Sequence, residues 1–140
     1  ICKIKIKMSQ QPIRVHGRIL LPSNPASLPT PSYLTVGLSD TSLMDAPAVS
    51  LAKSSAEISE SYNRSGAAQA LTYSLSGATR QETGCMPNAY SVSATINVGW
   101  KPTEQEWVRK GDYLVDTTHN VPVIEGQTEY EMDISLIHYN

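Results

Sequence analysis

Apolar and polar residues alternate in several short stretches of this chain. The clearest stretch is residues 89–98, where every second residue from Tyr90 to Val98 is apolar and most of the residues between carry hydroxyl or amide groups. Successive side chains of a β-strand point to opposite faces, so this pattern predicts a strand with one buried face. Similar patterns predict strands over residues 13–21, 33–38, 49–58, 67–76, 113–117, 121–124 and 130–138.

Turn-forming residues separate these stretches. Four prolines between residues 22 and 31 exclude a helix there, and residues 59–66 and 77–88 are predicted to be loops. Residues 101–110 form the one candidate helical turn, and the alternative is a loop that packs Trp107 down. Short strands without intervening helices of 10–15 residues predict an all-β protein, a two-sheet antiparallel β-sandwich, and argue against a parallel α/β sheet.

An additional strand is predicted ahead of this sandwich. Its apolar and cationic faces alternate strictly, and its residues are Cys2, Lys3, Ile4, Lys5, Ile6, Lys7 and Met8. We therefore divide the chain into an N-terminal strand and linker, residues 1–12, and a sandwich domain, residues 13–140. Three acids with the same spacing, Glu129, Glu131 and Asp133, are its predicted pairing partners, because opposite charges across a strand ladder stabilise one register.

This pairing has two possible forms. Within one chain, the N-terminal strand is an edge strand of a monomer. Between chains, each copy donates a strand to the next, and such a head-to-tail contact builds a filament. The second form predicts a secreted, non-enzymatic structural protein that assembles with copies of itself into extracellular fibres.

Two cysteines and one glycosylation sequon indicate where the protein is located, inside or outside the cell. Cys2 and Cys85 are either a disulfide, within or between chains, or two free thiols. Ser and Thr supply about a fifth of the chain, and the start at Ile1 without a signal-like stretch suggests a mature chain. Both features favour an extracellular setting, where disulfides persist. Asn63 begins an N-glycosylation sequon.

Charge and motifs narrow the function further. The net charge of −2 argues against nucleic-acid binding, and no apolar run is long enough to span a membrane. No nucleophile elbow or phosphate-binding glycine loop occurs, so we expect no enzyme and no cofactor. The set Asp40, Asp45, Asp112, Asp116 and His119 lacks metal-ligand spacing, and we interpret it as turn residues. A glycan could stack on Trp100, Trp107, Tyr113 and Tyr90, unless both tryptophans simply cap the sandwich end.

Residues 34–48, LTVGLSDTSLMDAPA, resemble a segment of the YbaY/YscW-like family of bacterial envelope lipoproteins. Residues 90–96 and 112–123 resemble the same family in the same order. The matching motif positions are Asp40, Ser42, Asp45, Pro47 and Asp116. The resemblance implies an immunoglobulin- or transthyretin-like sandwich without catalytic residues.

Family members with an assigned role resemble pilotins, small proteins that help an outer-membrane secretin assemble. The resemblance therefore implies an alternative to fibre formation. The protein would be a monomeric interaction module, periplasmic or anchored to the outer membrane, or extracellular, that binds another protein. Glycan binding is the further alternative.

Overall fold

A computed structural model describes residues 12–22, 27–40, 49–65, 71–78, 90–115, 119–121 and 127–139. Its elements in chain order are β1 (Pro12–Leu20), β2 (Tyr33–Asp40), β3 (Val49–Glu57), α1 (Ser59–Ser65), β4 (Leu71–Ala78), β5 (Tyr90–Asn97), β6 (Tyr113–Leu114), β7 (His119–Val121), β8 (Glu129–Glu131), β9 (Ile134–Ser135) and β10 (Ile137–His138).

These strands form two sheets. In the first sheet the strand order is β4-β1-β8, and β9 also pairs with β1. In the second sheet the order is β10-β6-β5-β2-β3, and β7 also pairs with β5. The predicted all-β sandwich is confirmed, with one correction: β8 and β9 run parallel to β1, so the first sheet is mixed.

The core lies between the sheets, where the alternating apolar residues meet. On β5, Tyr90 and Ile96 have no exposed surface, and Val92 is 2% exposed. On β1, Val15 is 0% exposed and Ile19 is 1% exposed. Full burial of an aliphatic side chain of this size contributes about 1.5–3 kcal/mol, so this inner face accounts for the strict alternation of the sequence.

The prediction of a loop over residues 59–66 is wrong, because residues 59–65 form helix α1. Ile58 and Tyr62, four residues apart, are both buried and anchor this short helix to the core. At its start, the Glu57 carboxylate accepts hydrogen bonds from the Ser59 hydroxyl and from the Ser59 backbone N–H, the latter at 2.7 Å. These bonds lower the pKa of Glu57. The segment is mostly polar, and its two buried apolar residues are too few to form a recognisable helical pattern, so the sequence predicted a loop.

The predicted strand over residues 130–138 is also wrong as a single element. It is divided into β8 and β9, which pair with β1, and β10, which pairs with β6 of the second sheet.

The interruption between β8 and β9 packs over Gly17. The Met132 N–H donates to the His16 carbonyl at 2.8 Å, and the Tyr73 hydroxyl donates to the Met132 carbonyl at 2.5 Å. Burial raises the pKa of Tyr73 to about 12. A Cβ at Gly17 would lie 2.0 Å from the Met132 oxygen, so only glycine permits this close approach.

Candidate binding groove

The outer face of the second sheet carries small side chains, most of them hydroxyls. Thr35 of β2 lies in register with Ser55 of β3 and with Thr95 of β5. The Thr35 and Ser55 hydroxyl oxygens are 3.2 Å apart. In the next row, Gly37 lies between Lys53 and Ser93. Because these side chains are short, the face forms the floor of a shallow depression, called the groove below.

The groove has a volume of about 680 Å³ and one wall that is mostly apolar. Its floor also includes Ser39 and Ser50. The wall is formed by the loop that follows β5 and by the end of β6, through Pro102, Thr103, Glu104, Trp107, Leu114 and Val115. The Trp107 side chain is 56% exposed, the largest exposed fraction among the large hydrophobic residues described.

Residues 98–112 form this loop, and Asp112 organises it. Asp112 is only 1% exposed. Its carboxylate accepts hydrogen bonds from the backbone N–H groups of Val98 and Arg109, both at 2.8 Å, and from the Trp100 indole N–H at 3.1 Å. A buried carboxylate with several donors binds separated parts of a loop together, since each donor would otherwise be left unsatisfied.

Asn97 joins this network to the groove. Its Nδ2 donates to the Trp107 carbonyl at 2.7 Å and to the Asp112 carboxylate at 3.1 Å. Asn97 is 1% exposed and also lines the groove. Its Oδ1 is buried and accepts no hydrogen bond from the part of the chain that the structure describes. Through its amide N–H groups, Asn97 therefore holds the backbone beside Trp107 against the end of β5.

Side chains on the loop stabilise it further. The Arg109 guanidinium lies 4.0 Å from the centre of the Trp100 ring, a cation–π contact. Arg109 also forms an ion pair with Glu106 at 2.7 Å, and the hydrogen bond from Arg109 lowers the pKa of Glu106. The Thr103 N–H donates to the Glu106 carbonyl at 2.8 Å. The loop thus presents Trp107 from a firmly held backbone.

This loop corrects one prediction and qualifies another. Residues 101–110 contain no helix, and Trp107 does not pack down, because Asp112 satisfies loop N–H groups that a helix would have bonded internally. Of the four rings considered for glycan stacking, Tyr90 is fully buried, and Tyr113 lies against His138 with ring centres 5.0 Å apart. Trp100 is bound to Asp112, and Trp107 is the ring of this set that lines the groove.

Asp112 is the residue that sequence reasoning misjudged. The interpretation of Asp112 as an ordinary turn residue is wrong, because its carboxylate is the centre of the loop network. No spacing rule identifies it, because its partners lie 3–15 residues away and depend on the path of the loop. Within the described ranges, no group of three or more His, Cys, Asp or Glu side chains is arranged to hold a metal ion.

The outer face of the first sheet contains the predicted acidic partners. Asp133 forms an ion pair with Arg18 of β1 at 2.7 Å and also accepts from the Arg18 backbone N–H at 2.9 Å. These hydrogen bonds lower the pKa of Asp133. Glu129 lies 3.5 Å from Arg14, and Glu131 is in register with His16.

Several predicted residues lie outside the described part of the chain. They are Cys2, Lys3, Ile4, Lys5, Ile6, Lys7, Met8, Ser42, Asp45, Pro47, Cys85 and Asp116. Pairing of the N-terminal strand and the disulfide therefore stay predictions.

Two further predicted residues, Asp40 and Asn63, lie within the described ranges. Asp40 ends β2 and is half-buried. The Asn63 side chain bonds the Leu28 backbone, accepting from its N–H at 2.7 Å and donating to its carbonyl at 3.0 Å. Its glycosylation stays a prediction.

Comparison with known proteins gives similarity to solved structures but not to a family model or a curated protein. No family model matches the sequence, and no curated protein matches it. A solved structure, an alternative pilotin from the type II secretion system of Vibrio cholerae, matches with a TM-score of 0.63 and 25% sequence identity. The match covers 91% of this chain and 96% of the pilotin. The fold is therefore pilotin-like over nearly its whole length, which fits the pilotins named in the sequence resemblance.

None of the helical residues in the described ranges belongs to a segment long and apolar enough to cross a bilayer.

Proposed function

We propose that this protein is a non-enzymatic interaction module of the bacterial envelope that helps a secretion complex to assemble, as pilotins do. The observation that carries the proposal is the match to the Vibrio cholerae pilotin over nearly the whole of both chains. The partner class that follows is an outer-membrane secretin. An envelope location follows from the same similarity.

The groove is the surface that we assign to this partner. Binding energy at protein interfaces concentrates in a few anchors, among which tryptophan is enriched. Trp107 is half exposed although its loop is held by Asp112 and Asn97. An anchor on a pre-organised loop loses little conformational freedom when it binds, so more of its contact energy contributes to affinity.

The test is binding to the secretin of the same cell, measured by isothermal titration calorimetry. Trp107→Ala is expected to weaken binding at least about tenfold and to change the stability of the protein by less than about 0.5 kcal/mol. Ile137→Ala is the matched control, since it truncates another exposed apolar side chain, 41% exposed, outside the groove. Absence of any secretin binding by the wild-type protein would refute the proposal.

Self-assembly by strand donation is a second candidate function. In the described part of the first sheet, β8 pairs with β1 on one side and with no strand on the other. A donated strand, residues 2–8 of a neighbouring copy, would occupy that free side. Light scattering tests this: removal of residues 1–8 should convert fibres to monomers, and a wild-type protein that is monomeric with and without reductant would contradict it.

A further inference from the structure

Lys53 and Glu104, two charges of opposite sign in the groove, form no ion pair with any residue that the structure describes. Both line the groove and both are exposed. Neither belongs to an ion pair in the described ranges. Arg14, Arg18, Arg64 and Arg109, by contrast, are each paired with a carboxylate.

The two charges belong to different elements that line the groove. Lys53 is on the outer strand β3, and Glu104 is on the loop that carries Trp107. Lys53, Gly37 and Ser93 are in register across β3, β2 and β5. Since adjacent strands are about 4.8 Å apart, this row alone extends about 10 Å. An extended ligand that crosses the floor from Lys53 to β5, the strand that precedes this loop, is therefore about three residues long or longer.

The floor between them suits a polypeptide backbone. Gly37 has no side chain to block close approach, and the surrounding hydroxyls can each donate and accept a hydrogen bond. A peptide backbone presents both N–H and C=O groups, so it can pair with such a floor. An acyl chain would instead leave the hydroxyls without partners, which is costly once water is excluded.

We propose that the groove binds a polypeptide segment of the partner protein with a defined order of charge. An acidic side chain of that segment pairs with Lys53. An apolar side chain packs against Trp107, and a basic side chain beside it pairs with Glu104. This inference rests on the proposed function, and it adds the chemistry and the orientation of the bound segment.

Charge reversal tests the inference with the secretin as the probe. Lys53→Glu and Glu104→Lys are each expected to weaken binding about 5- to 20-fold at 50 mM salt, and less at 500 mM, because salt screens exposed charge pairs. The matched controls reverse exposed charges that lie outside the groove and form no ion pair in the described ranges: Lys110→Glu, and Glu131→Lys on β8. Both controls should remain within about twofold of the wild-type protein.

The possible failures can be told apart. If the two groove reversals behave like the controls while Trp107→Ala loses binding, the charge order is wrong and the proposed function stands. If the wild-type protein does not bind secretin at all, both are overturned. If chitotetraose or phospholipid vesicles bind and quench Trp107 fluorescence with the secretin unable to compete, the occupant is not a polypeptide and the inference is overturned.

Discussion

The two outer faces of the sandwich differ in the ion pairs that their described residues form. On the first sheet, Arg18 and Asp133 form an ion pair supported by a backbone hydrogen bond, and Arg14 lies beside Glu129. On the second sheet, Lys53 and Glu104 are unpaired in the described structure.

This difference suits the first face to stabilising the fold and the second face to binding a partner. Charges that pair across β1 and the strands beside it help to define the register of those strands. Charges that form no ion pair in the described ranges add little to the stability of the isolated fold. Glu104 is carried, with Trp107, by a loop that a buried hydrogen-bond network holds, and Lys53 is carried by strand β3. Free groups on a rigid support are what a binding surface requires. Substitutions on the two faces should therefore have different consequences.

The largest expected effect is at Asp112, beneath the second face. Asp112→Ala leaves the N–H groups of Val98, Arg109 and Trp100 without their acceptor. We expect a loss of about 3–5 kcal/mol in the free energy of unfolding, together with loss of partner binding, measured by urea titration and calorimetry. A loss below about 1 kcal/mol would show that the network does not hold the loop.

A smaller effect is expected at Gly17, in the first sheet. Gly17→Ala places a methyl group on the Met132 carbonyl, so the backbone between β8 and β9 must move. We expect a loss of about 1–3 kcal/mol in stability. Gly37→Ala is the matched control, because its Cβ would meet the Ser93 hydroxyl at an ordinary 3.5 Å. Equal losses for both variants would contradict the close packing described at Gly17.

The smallest effect is a pH dependence at Asp133. Since its pKa in the folded protein is below the ordinary value of 3.8, ionised Asp133 stabilises the fold at higher pH. That contribution begins to be lost as the pH falls below 3.8, and it is gone once the pH is below the lowered pKa of the folded protein. Asp133→Asn should therefore flatten this part of the acid unfolding curve, followed by circular dichroism. An unchanged curve would mean that the Arg18 pair adds no stability.

Sequence reasoning succeeded where one physical effect determines structure. The alternation from Tyr90 to Val98 predicts β5 because burial of one strand face is a period-two property, visible in the residues themselves. It failed at helix α1, since only Ile58 and Tyr62 anchor a polar segment. The groove was harder still. The sequence indicates Trp107 as a candidate binding residue. Its exposure, however, depends on Asp112 and on a loop path that no local pattern encodes.

The most direct test of the central claim compares the two faces in one experiment. Backbone amide chemical shifts of the ¹⁵N-labelled protein would be recorded as unlabelled secretin is added. The account predicts that shifts concentrate in residues 35–39, 53–55, 93–97 and 102–107, while residues 14–18 and 72–74 stay unchanged. Shifts concentrated on the first sheet, with the groove unaffected, would contradict it.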